Sequence, residues 1–206
     1  MKKSSITLLL PLLALTLLAS CKETEVAGEY DNWQQRNETY IDGIAATARA
    51  NADGQWHVYR SFKLPATDVD GNVAQWDNED YIYCHVEQEG TGTASPLFTD
   101  TVLVNYRGRL MPSDSYPEGY IFDQSYKGQL TPQFNSPYKF CVGGVVVGWS
   151  TALMKMHVGD TWRVYIPANL GYGMAERTNE GIPAYSALVF DINLVSFSPV
   201  GTPVTR

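Results

Sequence analysis

Apolar residues fall into two rhythms along this chain, a helical one near its start and short alternating runs through its second half. The runs YIYCHVEQ (81–88), TVLVNYRGRL (101–110), YKFCV (138–142), DTWRVYIP (160–167) and ALVFDINLVSF (187–197) are rich in β-branched and aromatic residues and bounded by turn formers. They read as five strands. Between the third and fourth, Trp149, Leu153 and Met156 are spaced by four and three, which predicts one short helix over 149–156. Five strands and a single helix imply an α+β fold, a sheet wrapped over that helix. Upstream, Trp33, Tyr40, Ile41, Ile44, Ala45 and Ala48 recur at helical spacing, with Asp31 or Asn32 as N-cap and Asn51 to Gly54 as the stop. Such a helix either pairs two copies or packs on its own domain, and about five turns is short for a dimer stalk. Gln55 to Leu64 alternates as an extra strand or hairpin arm, and 65–80 has no period and reads as a solvated loop.

The first residues form a different pattern: MKKSS, then ITLLLPLLALTLL, then LASC. A charged start, an apolar run too short to span a bilayer and a small-residue processing site make residues 1–20 a targeting signal. Leu18, Ala19, Ser20 and Cys21 are similar to the bacterial lipobox, so Cys21 is expected to carry lipid and anchor the protein to a membrane. Lys22 after that cysteine points to the outer membrane, with the facing leaflet open. The polar stretch 22–30 reads as a tether. Losing residues 1–20 removes Lys2 and Lys3 and takes the formal charge from −7 to −9. An acidic chain lacks the Lys/Arg surface that displaces counterions, which excludes nucleic acid as a partner. Of the remaining cysteines, Cys84 and Cys141 both sit in expected strands, and the sequence leaves open whether they pair.

Chemistry-bearing motifs are sparse. His57, His85 and His157 show no metal-ligand spacing, and no GxSxG, phosphate-cradling glycine loop or paired-carboxylate motif is present. No cofactor or metal is expected. What the chain does concentrate is aromatic and aliphatic: VNYRG (104–108), FDQS (122–125), YKFCVGGVVVGW (138–149), MHVGDTWRVYIPANLGYG (156–173) and GIPAYSALVFDINL (181–194).

These five blocks, in this order, resemble the FKBP family of peptidyl-prolyl cis/trans isomerases. The resemblance implies a strongly twisted antiparallel half-barrel closing on one helix, with an N-terminal helical extension outside it. The expected divisions are a signal at 1–20, tether, helix and strand extension at 21–80, isomerase domain at 81–198 and tail at 199–206. It also implies a site. Trp149 corresponds to the floor of a proline pocket, with Tyr106, Phe122, Tyr138 and Phe190 as walls and Val145, Val146 and Ile182 completing the lining. The Val146 N–H and the Tyr172 hydroxyl would grip peptide carbonyls. Asp123, held by the Tyr106 hydroxyl, would face the twisting amide. On the residues alone, Trp149, Phe122 and Phe190 read first as core; Tyr172, between Gly171 and Gly173, fits a constrained loop.

The implied activity is rotation about X-Pro bonds of exported or envelope proteins, with macrolide ligands of the family as competitors. The alternative is a non-catalytic peptide-binding chaperone or assembly module on the same fold. Rotation makes and breaks no bond, so it needs none of the missing nucleophiles or metals. Its barrier is amide conjugation, crossed in tens to hundreds of seconds unaided. A millionfold acceleration requires about 8 kcal/mol of preferential stabilisation. Departures from the family pattern are Tyr138 in place of a Phe, Ala184 and Tyr185 in GIPAYS, and longer connections on both sides of Phe122.

Overall fold

β3 (Thr101–Leu110) is the strand on which the sheet is built. Its ten residues pair antiparallel with β7 (Leu188–Ser198), from Thr101 opposite Ser198 to Leu110 opposite Leu188, with a bulge between Leu103 and Val104. Its other edge is shared: Thr101 to Val104 pair with β5 (Tyr138–Cys141), and Arg107 to Arg109 with β4 (Ile121–Gln124). Beyond β7 come β6 (Thr161–Ile166), β2 (Tyr81–Gln88) and, at the edge, β1 (Trp56–Arg60), every pairing antiparallel. This is a computed structural model, and it describes residues 28–67 and 69–206. The expectations for the signal at 1–20 and for Cys21 lie outside the described residues.

Strand alternation decides what each helix meets. Val102, Val104, Tyr106 and Leu110 of β3, Ile82, Cys84 and Val86 of β2, Trp162, Val164 and Ile166 of β6, and Leu188, Phe190, Ile192 and Leu194 of β7 share one core cluster. α2 (Val147–Leu153) packs Trp149, Ala152 and Leu153 into it. Gly148 permits the close approach, since a Cβ there would lie 2.4 Å from Cγ2 of Ile166.

The alternate residues of the same strands, Trp56 and Val58 of β1, Tyr81 and Tyr83 of β2 and Tyr165 of β6, point the other way. α1 (Trp33–Ala50) covers them with Ile41, Ala45 and Ala48. This end of the sheet therefore has a helix on each face, which is why Ile82, Tyr83 and Cys84 are all fully buried in succession. Burying Ile41 alone contributes about 2 kcal/mol, so α1 is held by packing on its own domain. The helix stops at Asn51, in the left-handed region at φ 43, whose Oδ1 accepts the Trp56 N–H at 2.9 Å and so starts β1.

Several boundaries differ from expectation. β1 ends at Arg60, because Leu64 N–H closes a turn onto the Ser61 carbonyl; Phe62 leaves the expected apolar row and packs on Phe98. Ile121 and the first three residues of FDQS enter the sheet as β4, a strand too short for its alternation to announce. α2 starts two residues earlier than the spacing suggested and ends at Leu153. Cys84 is buried in β2, Cys141 is exposed at the end of β5, and both are free thiols.

Candidate active site

Between the concave face of the sheet and α2 lies a cavity of about 430 Å³. Trp149 forms its floor: the side chain is buried, and its indole Nε1 is buried without a hydrogen-bond partner. Three rings stand edge-on around the indole. Tyr106 from β3, Phe140 from β5 and Phe190 from β7 have centroids 5.4, 5.6 and 5.2 Å away, at interplanar angles of 87°, 78° and 78°. Edge-to-face contacts of this kind add to the area term and lock ring orientations.

Phe122 of β4 joins the wall through an edge contact to Phe190 at 5.4 Å. Gly108 of β3 makes that pair possible. A Cβ there would sit 2.5 Å from Cε1 of Phe190 and 2.6 Å from Cε2 of Phe122. The glycine of VNYRG is thus a packing requirement, with both rings lying directly over its Cα.

The oxygen-bearing side chains of the lining are Tyr106, Asp123, Tyr172 and Glu180. Tyr106 donates its hydroxyl to Oδ2 of Asp123 at 2.7 Å, and the Gln124 N–H donates to Oδ1 at 2.8 Å. Burial, reinforced by the bond to Asp123, pushes the Tyr106 hydroxyl well above the usual phenol range, so it stays a donor. Asp123 itself is exposed, which puts the carboxylate at the mouth and leaves the interior apolar. Tyr172, half-buried, comes from the loop between β6 and β7. Arg177 lies over its ring at 5.2 Å and pairs with Glu180 at 3.0 Å. Burial raises the Tyr172 hydroxyl too, partly opposed by Arg177. Gly173, at φ 61, turns the chain directly after Tyr172.

Tyr106, Phe122, Asp123, Val145, Val146, Trp149, Tyr172, Ile182 and Phe190 all line this cavity. Tyr138 does not. It is 54% exposed and meets Tyr106 edge-on at 6.1 Å outside the lining, while Phe140, two residues on and on the same face of β5, stands in the wall. Gly144 and Glu180 also line the cavity without having been singled out. Strand alternation carried the signal for Phe140; nothing in the loop's pattern marked Glu180. The lining contains no thiol, imidazole or aliphatic hydroxyl, and among the described residues no group of three His, Cys, Asp or Glu converges as a metal site.

A family model described as FKBP-type peptidyl-prolyl cis-trans isomerase matches residues 92–195, just over half of the 206. The chain belongs to the FKBP family. Among its relatives is the peptidyl-prolyl cis-trans isomerase Mip of Coxiella burnetii, 39% identical over 116 residues, covering 54% of this chain and 42% of that protein. The outer membrane protein MIP of Legionella longbeachae is 37% identical over 107 residues, covering 52% of this chain and 40% of that one. The matches thus span less than half the length of these curated relatives. A crystal structure of a peptidyl-prolyl cis-trans isomerase from Pseudomonas syringae pv. tomato aligns with a TM-score of 0.54 at 26% identity, over 84% of this chain and 98% of that chain. The FKBP match begins after β2, so α1, β1 and β2 lie outside it, although β1 and β2 belong to the same sheet and α1 packs on it. No helix among the described residues of this FKBP protein is long and apolar enough to cross a membrane.

Proposed function

We propose that this FKBP protein is a peptidyl-prolyl cis/trans isomerase acting on X-Pro bonds of exported or envelope proteins. The observation that carries the reading is the cavity itself: an indole floor inside a ring of edge-on aromatics, with Asp123, Glu180 and the tyrosines 106 and 172 in its lining. The planar amide is the more polar and better hydrated form. An apolar enclosure therefore raises its free energy relative to the twisted form, in which nitrogen–carbonyl conjugation is lost. The proline ring sits on Trp149, against Phe122, Phe140, Phe190 and Ile182. The Val146 N–H and the Tyr172 hydroxyl hold the flanking carbonyls. Asp123, oriented by Tyr106, faces the rotating amide. The reaction is noncovalent and needs no cofactor.

For the whole protein, the reading is that residues 1–20 direct export and are removed, and that Cys21 carries lipid holding the domain on the outer membrane. The outer membrane protein among its relatives supports that compartment. Clients are then unfolded or newly exported chains with accessible prolines.

The test is the rate of cis-to-trans conversion of a proline tetrapeptide with purified protein, repeated with a macrolide of the family as competitor. Expected is a rate proportional to enzyme concentration and abolished by the macrolide. An unaccelerated rate, together with suppressed aggregation of an unfolded protein, would replace this reading with that of a peptide-holding chaperone. Lipidation is tested separately by fatty-acid labelling in cells, lost in Cys21→Ala.

A further inference from the structure

The β6–β7 loop carries Tyr172, Glu180 and Ile182 into the cavity, yet its own secondary structure is one 3-10 turn at Ala168–Leu170 and a bridge between Arg177 and Ile182. What anchors its return into β7 comes from the opposite end of the chain. Nε1 of Trp33 donates to Oγ of Ser186 at 2.8 Å, across 153 residues, and the Ser186 hydroxyl in turn donates to the Pro183 carbonyl at 2.7 Å. Oδ1 of Asn37 accepts the Ala187 N–H at 2.8 Å, and its Nδ2 donates to the Trp33 carbonyl at 2.6 Å. Trp33, Asn37, Ser186 and Ala187 are all at most 6% exposed. One more bond carries the connection to the cavity wall: Tyr185 N–H donates to the carbonyl of Gly173, the residue after Tyr172, at 2.8 Å. Tyr185 stands at φ 60, a conformation that a tyrosine keeps only where its surroundings impose it.

We infer that α1 is a positioning element of the active site: Trp33 and Asn37 clamp residues 183–187, and through them fix Ile182 and Tyr172 against the bound proline. The inference rests on the isomerase reading for its kinetic consequence, but the clamp itself is a property of the fold. Two features separate it from ordinary packing. Toward Tyr185 the helix and loop do not interdigitate, because a cavity of about 260 Å³ lies between Gln34, Glu38, Met174 and Tyr185. And the bonds are buried, so losing one partner leaves an unsatisfied polar group that the loop relieves by moving. Sequence distance hides the arrangement, since the clamp residues lie in the extension and what they hold lies in the catalytic domain.

The experiment uses the full chain and three variants: Trp33→Phe, which keeps a ring but removes the N–H, Ser186→Ala, and the pair together. Should Trp33→Phe fail to fold, Ser186→Ala breaks the same contact from the loop side. Hydrogen exchange is followed by segment, and kcat and KM are measured on a proline tetrapeptide at a temperature where circular dichroism shows each variant folded. Expected is exchange about tenfold faster over 172–187 with β3 and β7 unchanged, KM raised about fivefold with kcat within about twofold, and a double variant little worse than the worse single one, as coupled partners require. Unchanged exchange over 172–187, equal loosening of β3 and β7, or an unaltered KM in an active enzyme overturns the clamp. If the wild-type protein proves inactive on proline peptides, the isomerase reading fails by itself, and the segment-resolved exchange alone decides on the clamp.

Discussion

The Tyr106 hydroxyl holds Oδ2 of Asp123 at 2.7 Å, joining the middle of β3 to β4 at the mouth of the cavity. The bond fixes a carboxylate that would otherwise swing into water. Tyr106→Phe is expected to lower kcat/KM about threefold to tenfold with the fold intact, because a charge-assisted hydrogen bond is lost at an exposed site. Asp123→Ala combined with Tyr172→Phe should cost at least about a hundredfold, since both polar fixtures are then gone. Tetrapeptide kinetics on the two variants measure this, and undiminished turnover in the double variant removes the roles assigned to Asp123 and Tyr172.

Phe140 and Tyr138 share a face of β5 but only Phe140 reaches the indole of Trp149, at 5.6 Å. Phe140→Ala opens the cavity wall and should reduce kcat/KM by at least about tenfold while costing roughly 2 kcal/mol of stability, less than for a fully buried Phe. Tyr138→Ala, at a half-exposed position, should stay within about threefold in activity and about 1 kcal/mol in stability. Urea denaturation and peptide kinetics on the two variants distinguish the positions; equal effects would return Tyr138 to the wall.

Gly108→Ala tests the packing over β3. The added methyl would meet ring atoms of Phe190 and Phe122 at 2.5 and 2.6 Å, and Phe122, the less buried ring, is the one able to turn, into the cavity. Overpacking of this kind costs about 1–2 kcal/mol. The larger effect should be on KM, raised about tenfold or more as Phe122 occupies proline's place. A variant that keeps wild-type KM would show that the rings relax elsewhere.

Alkaline stability follows from the buried tyrosines. Tyr59 and Tyr83 are pushed up to about 12, chiefly by burial, against about 10 in an unfolded chain. A raised folded-state value means that the native protein keeps protons the unfolded chain releases. The stabilisation is complete below about pH 10 and is lost as pH rises from there toward about pH 12. The urea midpoint should hold steady up to about pH 9 and fall by about pH 11, less steeply in Tyr59→Phe than in wild type. A flat midpoint over that range contradicts the assignment.

Legibility in the sequence tracked how local the cause was. β2 and β3 match their apolar runs to the residue because eight and ten residues rich in β-branched and aromatic side chains, bounded by turn formers, leave little room for other ends. Phe62 broke the pattern beyond β1 because a turn at Ser61 redirects the chain, and alternation by itself carries no notice of that. The cavity lining was legible largely through family resemblance; on periodicity alone Trp149 and Phe190 are indistinguishable from core, and both are in fact more than nine-tenths buried. Phe140 is legible in the two-residue period, which puts it on the same face of β5 as Tyr138 and one step deeper into the sheet's contact with α2. The bonds from Trp33 to Ser186 and from Asn37 to Ala187 span 150 residues or more, and no pattern along a single chain announces them.

The apolar row of α1 faces Tyr83, Trp56 and the rest of the sheet's reverse face. With that row turned inward, what the helix shows to solvent is its polar side, Gln34, Gln35, Glu38, Thr39, Asp42 and Arg49. The extension thus works as a cover for one end of the sheet, and stripping it away would bare aromatic rings of β1, β2 and β6 to water.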